Sequence, residues 1–311
     1  MPATVLVLVE TINDYLPILE HQGFHLILAP TPAERAQAIA THGSRIDAVL
    51  TRGPLGLTAQ EISALPALKI ITVIGAGYEQ VDLQAASDRG ITVTNGAGVN
   101  ASSVADHAMA LLLALVRDIP RCDAAVRRGE WPKIMRPSLA GKRLGILGLG
   151  AVGMAIAKRA ELGFDMQISY HGRRPLGVDY PYYASVTELA AAVDFLLVAV
   201  GGGDSTHHLV DAGVLDALGS QGILINVGRG SVVDEAALAQ ALAEGRLLGA
   251  GLDVFEDEPR PHARLLDLDN VLLAPHMASA TWDTRRAMSD LTLANLAAHF
   301  AGEPLPTPVP D

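Results

Sequence analysis

Cysteine is nearly missing from this 311-residue chain, since Cys122 is its only one. An internal disulfide is therefore excluded, which fits a reducing compartment. No stretch approaches the roughly 20 consecutive apolar residues that a membrane helix needs. The N-terminal residues lack the basic segment and cleavage site of a signal peptide. We expect a cytoplasmic protein with no membrane partner.

Aromatic and basic side chains are also scarce. Phe, Trp and Tyr make up 4% of the chain, so its core must consist mostly of Ala, Val, Leu and Ile. The 23 Lys and Arg residues stand against 34 Asp and Glu residues, which gives a net charge of −11. Such a surface repels phosphate backbones, so we expect no nucleic-acid partner. An anionic ligand would need a local cluster of arginines.

Short apolar runs do occur, and they alternate with amphipathic stretches along the chain. This alternation predicts βαβ units of an α/β fold. Because the runs are continuously apolar, we expect parallel sheets that are covered on both faces. The predicted strands are 5–9, 26–28, 48–50, 70–73, 91–94, 144–147, 166–170, 195–200, 223–226, 249–254 and 271–274.

A long helix predicted over residues 101–117 separates two such series of strands. Each series can form its own sheet, and the chain is long enough for two cores. We therefore predict two flavodoxin- or Rossmann-like domains with parallel sheets and a cleft between them. One domain would comprise residues 1–99 and 285–311, and the other residues 100–284.

A glycine-rich turn follows the predicted strand 144–147 and opens a predicted helix. In a G-x-G-x-x-G turn the first glycine permits the tight bend, the second lets the backbone approach a pyrophosphate, and the third lets helix and strand pack closely. The helix N-terminus offers free N–H groups to the phosphates. An ordinary glycine-rich turn is the alternative, but the context favours a dinucleotide site in the domain 100–284. Its residues would be Gly148, Gly150, Ala151, Val152 and Gly153.

The end of the next predicted strand bears on which dinucleotide binds. NAD sites usually carry Asp or Glu there to hold the ribose 2′-hydroxyl. This chain has no carboxylate at that point but has His171, Gly172, Arg173 and Arg174. Arginine can bind a 2′-phosphate through two hydrogen bonds, although both arginines could also be ordinary surface charges. We favour NADP(H), with NAD(H) as the other possibility.

Three later segments follow predicted strands, at the edge where open α/β sheets bind ligands. They contain Arg229, Glu258 and His276. Each has an ordinary alternative: a salt-bridge arginine, a member of a solvated acidic run and a structural histidine. The residues alone do not decide among these readings.

The order and spacing of the motifs resemble those of the D-isomer-specific 2-hydroxyacid dehydrogenase family. Glu258 lies 29 positions after Arg229, and His276 lies 18 positions after Glu258. Within that family the chain is most similar to glyoxylate/hydroxypyruvate reductases, partly because of its basic segment. The resemblance covers nearly the whole chain, and it includes Val104–Asp106, Arg128–Trp131, Gly148–Gly153, Asn226–Gly230, Leu252–Pro259 and Pro275–His276.

The resemblance implies roles for these residues. Arg229 would bind the substrate carboxylate and polarise the keto oxygen. His276 would be the general acid, and Glu258 would orient its ring and favour its protonated form. Asp253 is expected near the nicotinamide carboxamide. We also expect Val227 and Gly228 at the cofactor.

The domain 1–99 with 285–311 would bind the substrate. The family uses backbone N–H groups of the loop after the strand 70–73, which here indicates Ala76 and Gly77. Arg52 is a second candidate, with a surface charge as its alternative. The chain departs from the family pattern at Gly201–Gly203, where a proline and a threonine-rich turn are usual.

The resulting prediction is an NADPH-dependent enzyme that reduces a small 2-keto acid to the D-2-hydroxy acid. We expect a homodimer, from the resemblance, and no metal site. The alternative is a non-enzymatic dinucleotide-sensing protein on the same fold. A formate dehydrogenase is disfavoured because that relative carries Gln in place of Glu258. A phosphoglycerate dehydrogenase is disfavoured by the basic segment and by the absence of a regulatory C-terminal domain.

Overall fold

A computed structural model describes residues 2–10 and 13–309 of the chain. The chain divides into two compact units, one of residues 1–100 and 281–311 and the other of residues 101–280. The predicted boundaries, at 99/100 and 284/285, lie close to these division points. The second predicted boundary falls inside the last helix, Trp282–Ala301.

The first unit contains a five-stranded parallel sheet. Its strands are β1 (Thr4–Val7), β2 (His25–Leu28), β3 (Ala48–Arg52), β4 (Ile70–Ile74) and β5 (Thr92–Thr94). They are arranged in the order β2-β1-β3-β4-β5, which is the flavodoxin-like order. The α-helices described in this unit are α1 (Leu16–His21), α2 (Pro32–His42), α3 (Ala59–Ser63), α4 (Leu83–Ser87) and, from the C-terminal segment, α11 (Trp282–Ala301).

Strand β1 shows why its sequence is continuously apolar. Val5 and Val7 belong to one buried cluster, whereas Leu6 and Leu8 belong to another. Successive side chains of a strand point to opposite faces, so this sheet has a core on each face. Helix α11 contributes to the first of these cores through Leu293 and Leu296, so the C-terminal helix packs on the N-terminal sheet.

The second unit contains a six-stranded parallel sheet. Its strands are β6 (Arg143–Leu147), β7 (Gln167–His171), β8 (Phe195–Val198), β9 (Ile223–Asn226), β10 (Gly249–Leu252) and β11 (Val271–Leu273). They are arranged in the order β11-β10-β9-β8-β6-β7. The α-helices described here are α5 (Ala101–Val116), α6 (Ile119–Arg127), α7 (Ala151–Phe164), α8 (Val186–Ala192), α9 (Ala212–Leu218) and α10 (Glu235–Ala243).

The predicted fold class, two α/β domains with parallel sheets, is confirmed. In the first unit, β1 ends at Val7, two residues earlier than predicted. Two strands of the second unit also end two residues early, β8 at Val198 and β10 at Leu252. Both residues pair with Asn226, the last residue of the intervening strand β9. Since β9 ends at Asn226, strands β8 and β10 have no further β9 residues to pair with beyond that position. None of the helices in the described part of the chain has the length and apolarity that a membrane span requires.

Asp194 joins the amino ends of β6 and β8. Its carboxylate accepts hydrogen bonds from the backbone N–H and the guanidinium of Arg143, at 2.8 and 2.9 Å. These bonds hold the pKa of the Asp194 carboxyl below its usual value of about 3.9. A carboxyl with a lowered pKa stabilises the fold above the unfolded-state pKa, and this stabilisation is lost as the pH falls through the folded-state pKa.

We expect Asp194→Asn to lower the free energy of unfolding at pH 7 by about 0.5–1 kcal/mol, because solvent screens this partly exposed pair. The deficit should begin to shrink below about pH 4, near the unfolded-state pKa of the carboxyl, and should disappear as the pH falls through its lowered folded-state pKa. Urea denaturation across this pH range measures it. Asp123→Asn, at an exposed helix pair, is the control. An equal deficit at neutral and acid pH would contradict the prediction.

Candidate functional site

The glycine-rich turn lies between β6 and α7 and depends on three glycines for different reasons. Gly148 has φ +95°, and a β-carbon there would lie 2.5 Å from a methyl carbon of Val200. A β-carbon at Gly153 would lie 2.1 Å from the carbonyl oxygen of Gly148. The two glycines therefore permit the bend and the close approach of helix α7 to the strand.

Gly150 is the open position of this turn. Within the described residues, no atom beyond its chain neighbours lies within 4 Å of where its β-carbon would be. Gly150 is the N-cap of α7 and has no side chain to cap the first N–H groups of that helix. The turn also follows β6, at which the strand order reverses, and ligands bind at such points. This open, uncapped helix end fits a dinucleotide pyrophosphate.

The basic segment begins at the end of β7. Nδ1 of His171 lies 2.9 Å from the carbonyl oxygen of Tyr183, and the hydroxyl of Tyr182 donates to the carbonyl oxygen of Gly172. These contacts tie the start of the segment to the 182–183 backbone. Arg173 and Arg174 are exposed. Among residues 2–10 and 13–309, neither guanidinium has a hydrogen-bond or ion-pair partner, so both are available to an anion.

His276 and Glu258 are in direct contact. Nδ1 of His276 lies 2.8 Å from Oε2 of Glu258, and the two side chains are 42% and 35% exposed. The other carboxylate oxygen of Glu258 accepts the backbone N–H of Phe255 at 3.1 Å. This second bond fixes the carboxylate on its own loop. The histidine therefore has one ring nitrogen, Nδ1, held by Glu258. Its second ring nitrogen, Nε2, has no hydrogen-bond partner among the residues that the structure describes.

The loop that carries His276 is fastened by Asp253. His276 has φ +51°, a left-handed conformation that few non-glycine residues adopt. The next two backbone N–H groups, of Met277 and Ala278, donate to the two carboxylate oxygens of Asp253 at 2.8 and 2.9 Å. The family resemblance implies a place near the nicotinamide carboxamide for Asp253, and this stays a prediction. Its carboxylate is only 1% exposed and is held by this loop, with Nε2 of His107 3.3 Å from one oxygen.

Arg229 follows β9 in a turn that Asn226 organises. The Asn226 side chain accepts the N–H of Gly228 and donates to the carbonyl oxygen of Arg229, both at 3.0 Å. Gly230 then approaches another segment closely, because a β-carbon there would lie 1.9 Å from the carbonyl carbon of Phe255. The Arg229 turn and the Glu258 loop are thus packed backbone to backbone. Val227 and Gly228 lie in the same turn, at the carboxyl end of the sheet.

Glu235 is a positioning residue that the sequence did not reveal. It is 4% exposed, and its carboxylate accepts the N–H of Glu256 at 2.5 Å and the N–H of His262 at 3.0 Å. These two N–H groups flank Glu258, so Glu235 closes the base of that loop. In the sequence Glu235 is only an acidic residue in the first turn of a helix, a common place for one. No sequence signal distinguishes it.

The residues predicted in the first unit lie at the carboxyl ends of two paired strands, β3 and β4. Arg52 is the last residue of β3 and is exposed. A β-carbon at the next residue, Gly53, would lie 2.6 Å from the carbonyl oxygen of Gly77, so the two loops touch. The carbonyl oxygen of Ala76 accepts the Asn95 side chain at 2.7 Å. Arg52, Ala76 and Gly77 are therefore neighbours on one edge of this sheet.

Known proteins similar to this chain indicate its family. Residues 109–278, more than half of the chain, match the family described as D-isomer specific 2-hydroxyacid dehydrogenase, NAD binding domain. A glyoxylate/hydroxypyruvate reductase A of Arabidopsis thaliana is 45% identical over 302 residues, which covers 96% of each chain. A hydroxyphenylpyruvate reductase of Plectranthus scutellarioides is 46% identical over 282 residues, covering 89% of this chain and 90% of the relative.

Solved structures agree with the fold over nearly the full length. An NADPH-dependent glyoxylate/hydroxypyruvate reductase of Sinorhizobium meliloti, solved in complex with NADP and malonate, has a TM-score of 0.90 and 40% identity. The match covers 99% of this chain and 97% of that one. The glycine turn, the His276–Glu258 contact and these similarities lead to one assignment: the chain belongs to the D-isomer-specific 2-hydroxyacid dehydrogenase family.

Proposed function

We propose that this protein reduces a small 2-keto acid, such as glyoxylate or hydroxypyruvate, to the D-2-hydroxy acid and prefers NADPH. The observation that carries the proposal is the 2.8 Å contact between Nδ1 of His276 and Glu258. It forms an acid–orienter pair at the carboxyl edge of the sheet that also bears the dinucleotide turn. The relatives named as glyoxylate/hydroxypyruvate reductases support the substrate class.

His276 is proposed as the general acid. With Nδ1–H donating to Glu258, the Nε2 atom is the one that delivers a proton to the keto oxygen of the substrate. The carboxylate of Glu258 stabilises the protonated ring and fixes its direction. In the reverse reaction, the neutral ring accepts the hydroxyl proton at the same Nε2 atom. The loop bonds to Asp253 hold His276 in its left-handed conformation during this exchange.

Arg229 is proposed to bind the substrate carboxylate and to polarise the keto oxygen. Its guanidinium keeps its charge at any working pH, and its planar fork matches a carboxylate. In the first unit, the backbone N–H groups of Ala76 and Gly77, with Arg52, are proposed to bind substrate. NADPH, when bound, supplies the hydride that adds to the keto carbon. Gly148, Gly150, Ala151, Val152, Gly153, Val227 and Gly228 are proposed to hold it.

Cofactor preference is proposed to depend on Arg173 and Arg174. Their guanidinium groups have no partner in the described part of the chain and follow β7, where a ribose-binding carboxylate would stand in an NAD site. His171 and Gly172 hold the segment's backbone in place. A charge-assisted hydrogen bond to a phosphate contributes about 1.5–3 kcal/mol. The two arginines can therefore discriminate NADPH from NADH by more than tenfold.

The double variant Arg173→Ser, Arg174→Ser is expected to raise KM for NADPH by about 10–100-fold and to leave KM for NADH nearly unchanged. Loss of NAD(P)H absorbance with each cofactor measures this. Arg127→Ala, at an exposed arginine of α6, is the matched control and should behave like the parent. An equal rise in KM for both cofactors would show that the segment does not recognise the 2′-phosphate.

The function itself is tested with glyoxylate, hydroxypyruvate and hydroxyphenylpyruvate as separate substrates. Turnover of either small acid with NADPH supports the proposal. Turnover of hydroxyphenylpyruvate alone, the compound named in one relative's description, would change the proposed substrate from a small 2-keto acid to an aromatic one. No turnover of any of the three, with NADPH binding intact, would favour the dinucleotide-sensing protein. The homodimer and the cytoplasmic location stay predictions.

A further inference from the structure

Two adjacent histidines and a glutamate form a cluster that shares no residue with the His276–Glu258 pair. The ligand atoms of His207, His208 and Glu256 all lie within 4.8 Å of one another. The two imidazole rings stack with their centroids 4.0 Å apart, and Nε2 of His208 is hydrogen-bonded to Oε1 of Glu256. The histidines follow β8 and the glutamate follows β10, 48 positions later in the chain. The fold, and not local sequence, brings these donors together.

The backbone holds both segments of this cluster in place. The N–H of His208 donates to the carbonyl oxygen of Ser231 at 2.8 Å, and His208 has φ +49°. The N–H of Glu256 donates to the buried carboxylate of Glu235. The side chains themselves stay accessible, since His208 and Glu256 are 36% and 32% exposed. A small ion can therefore reach donors whose backbones are already ordered.

We propose that His207, His208 and Glu256 bind a divalent transition-metal ion of the Zn²⁺ type. Imidazole nitrogen and carboxylate oxygen are suitable ligands for Zn²⁺ at about 2.0–2.2 Å, and three protein ligands with one water complete a tetrahedron. Small side-chain rotations would replace the His208–Glu256 hydrogen bond by two metal bonds. Asp234, whose carboxylate lies 4.0 Å from Nδ1 of His208, adds negative charge beside that ring, which favours a bound cation. This proposal departs from the sequence-based expectation of no metal site.

The bound ion would connect two segments of the second unit. On one side it would hold the stretch that contains Gly201–Gly203, whose glycines leave the backbone little intrinsic stiffness. On the other side it would hold Glu256, two residues before Glu258. An ion that prefers the folded chain raises its thermal stability by mass action. Zn²⁺ should therefore stabilise the parent protein against heat, whether or not it changes turnover.

Isothermal titration of the untagged, chelator-treated chain with Zn²⁺, followed by thermal melts, tests the site. We expect one Zn²⁺ per chain and a higher Tm. His208→Asn is the principal variant, because asparagine tolerates a positive φ; His207→Ala and Glu256→Gln are the others. Each should weaken binding by at least about tenfold and abolish the Tm rise. His21→Ala, at an exposed histidine of the first unit, should change neither.

Two outcomes would overturn the proposal. The first is a parent chain that binds no Zn²⁺ when Zn²⁺ is in roughly tenfold excess over protein, a condition under which a site of micromolar affinity would be detected. The cluster would then be only a hydrogen-bonded His208–Glu256 pair with His207 stacked beside it. The second is binding that His208→Asn and Glu256→Gln leave unchanged, which would assign the ion to other histidines. Circular dichroism of each variant shows whether it is folded, so weaker binding by a folded variant can be ascribed to the lost ligand.

Discussion

A His276→Asn variant is expected to reduce 2-keto acids about 10²–10⁴ times more slowly than the parent chain, with the loss in kcat. Asparagine accepts the left-handed backbone at this position, yet it cannot deliver a proton to the keto oxygen. The loop bonds from Met277 and Ala278 to Asp253 should survive. Steady-state kinetics with saturating NADPH measure the effect.

NADPH binding, followed by fluorescence, is the control for His276→Asn. It should be unchanged, because the glycine turn before α7 is untouched. Glu258→Gln should show a smaller loss in kcat than His276→Asn, because the imidazole remains. Glutamine has one acceptor oxygen where Glu258 uses two, for His276 and for Phe255, and it carries no charge to stabilise the protonated ring. A His276→Asn variant that keeps parental kcat would remove the histidine from the chemistry.

The second large effect is expected at Arg229. Arg229→Ala should lower kcat/KM by about 10²–10³ or more, because the variant loses both the carboxylate anchor and the charge that polarises the keto oxygen. Arg229→Lys should recover only part of this, since an ammonium group keeps the charge but not the planar fork. A larger fraction of the loss should appear in KM than for His276→Asn, because the proposed role of Arg229 includes binding the substrate before the transition state.

Arg246→Ala is the matched control for Arg229. Arg246 belongs to the same unit and pairs with exposed Asp216 and Glu244, so its loss should leave kcat/KM within about threefold of the parent. Malonate, a dicarboxylate, is to be tested as a competing ligand of the parent and of the variant. If Arg229→Ala keeps parental affinity for malonate and parental kcat/KM, the arginine does not bind the substrate.

Much of the fold could be read from the sequence because its signals are local. All eleven predicted strands occur, since apolar runs between polar turns specify buried parallel strands. The glycine turn could be predicted for the same reason, because the spacing of Gly148, Gly150 and Gly153 reflects contacts within one strand–turn–helix unit. Strand ends were harder to predict. Strands β8 and β10 end where their shared partner β9 ends, and the local sequence of a strand does not specify its register with strands distant in the chain.

Partners of buried polar side chains could not be predicted for the same reason. Asp253 and Glu235 bind backbone N–H groups that lie 21 to 27 positions away in the chain. Any carboxylate can accept such bonds, so residue type carries little information about which one does. The His207–His208–Glu256 cluster also depends on two loops that meet only in the folded unit. Residue type identifies candidates, and long-range packing selects among them.

The contact at Gly230 has a consequence for how this protein can diversify. A β-carbon at Gly230 would lie only 1.9 Å from the carbonyl carbon of Phe255. The turn after β9 and the loop after β10 are therefore packed so closely that neither can move without the other. Insertions or grafts that alter either segment alone would force the other out of place. New substrate ranges are therefore expected to arise by substitution of side chains near these two segments. The turn after β9 and the loop after β10 should be inherited, or transferred to another protein, together.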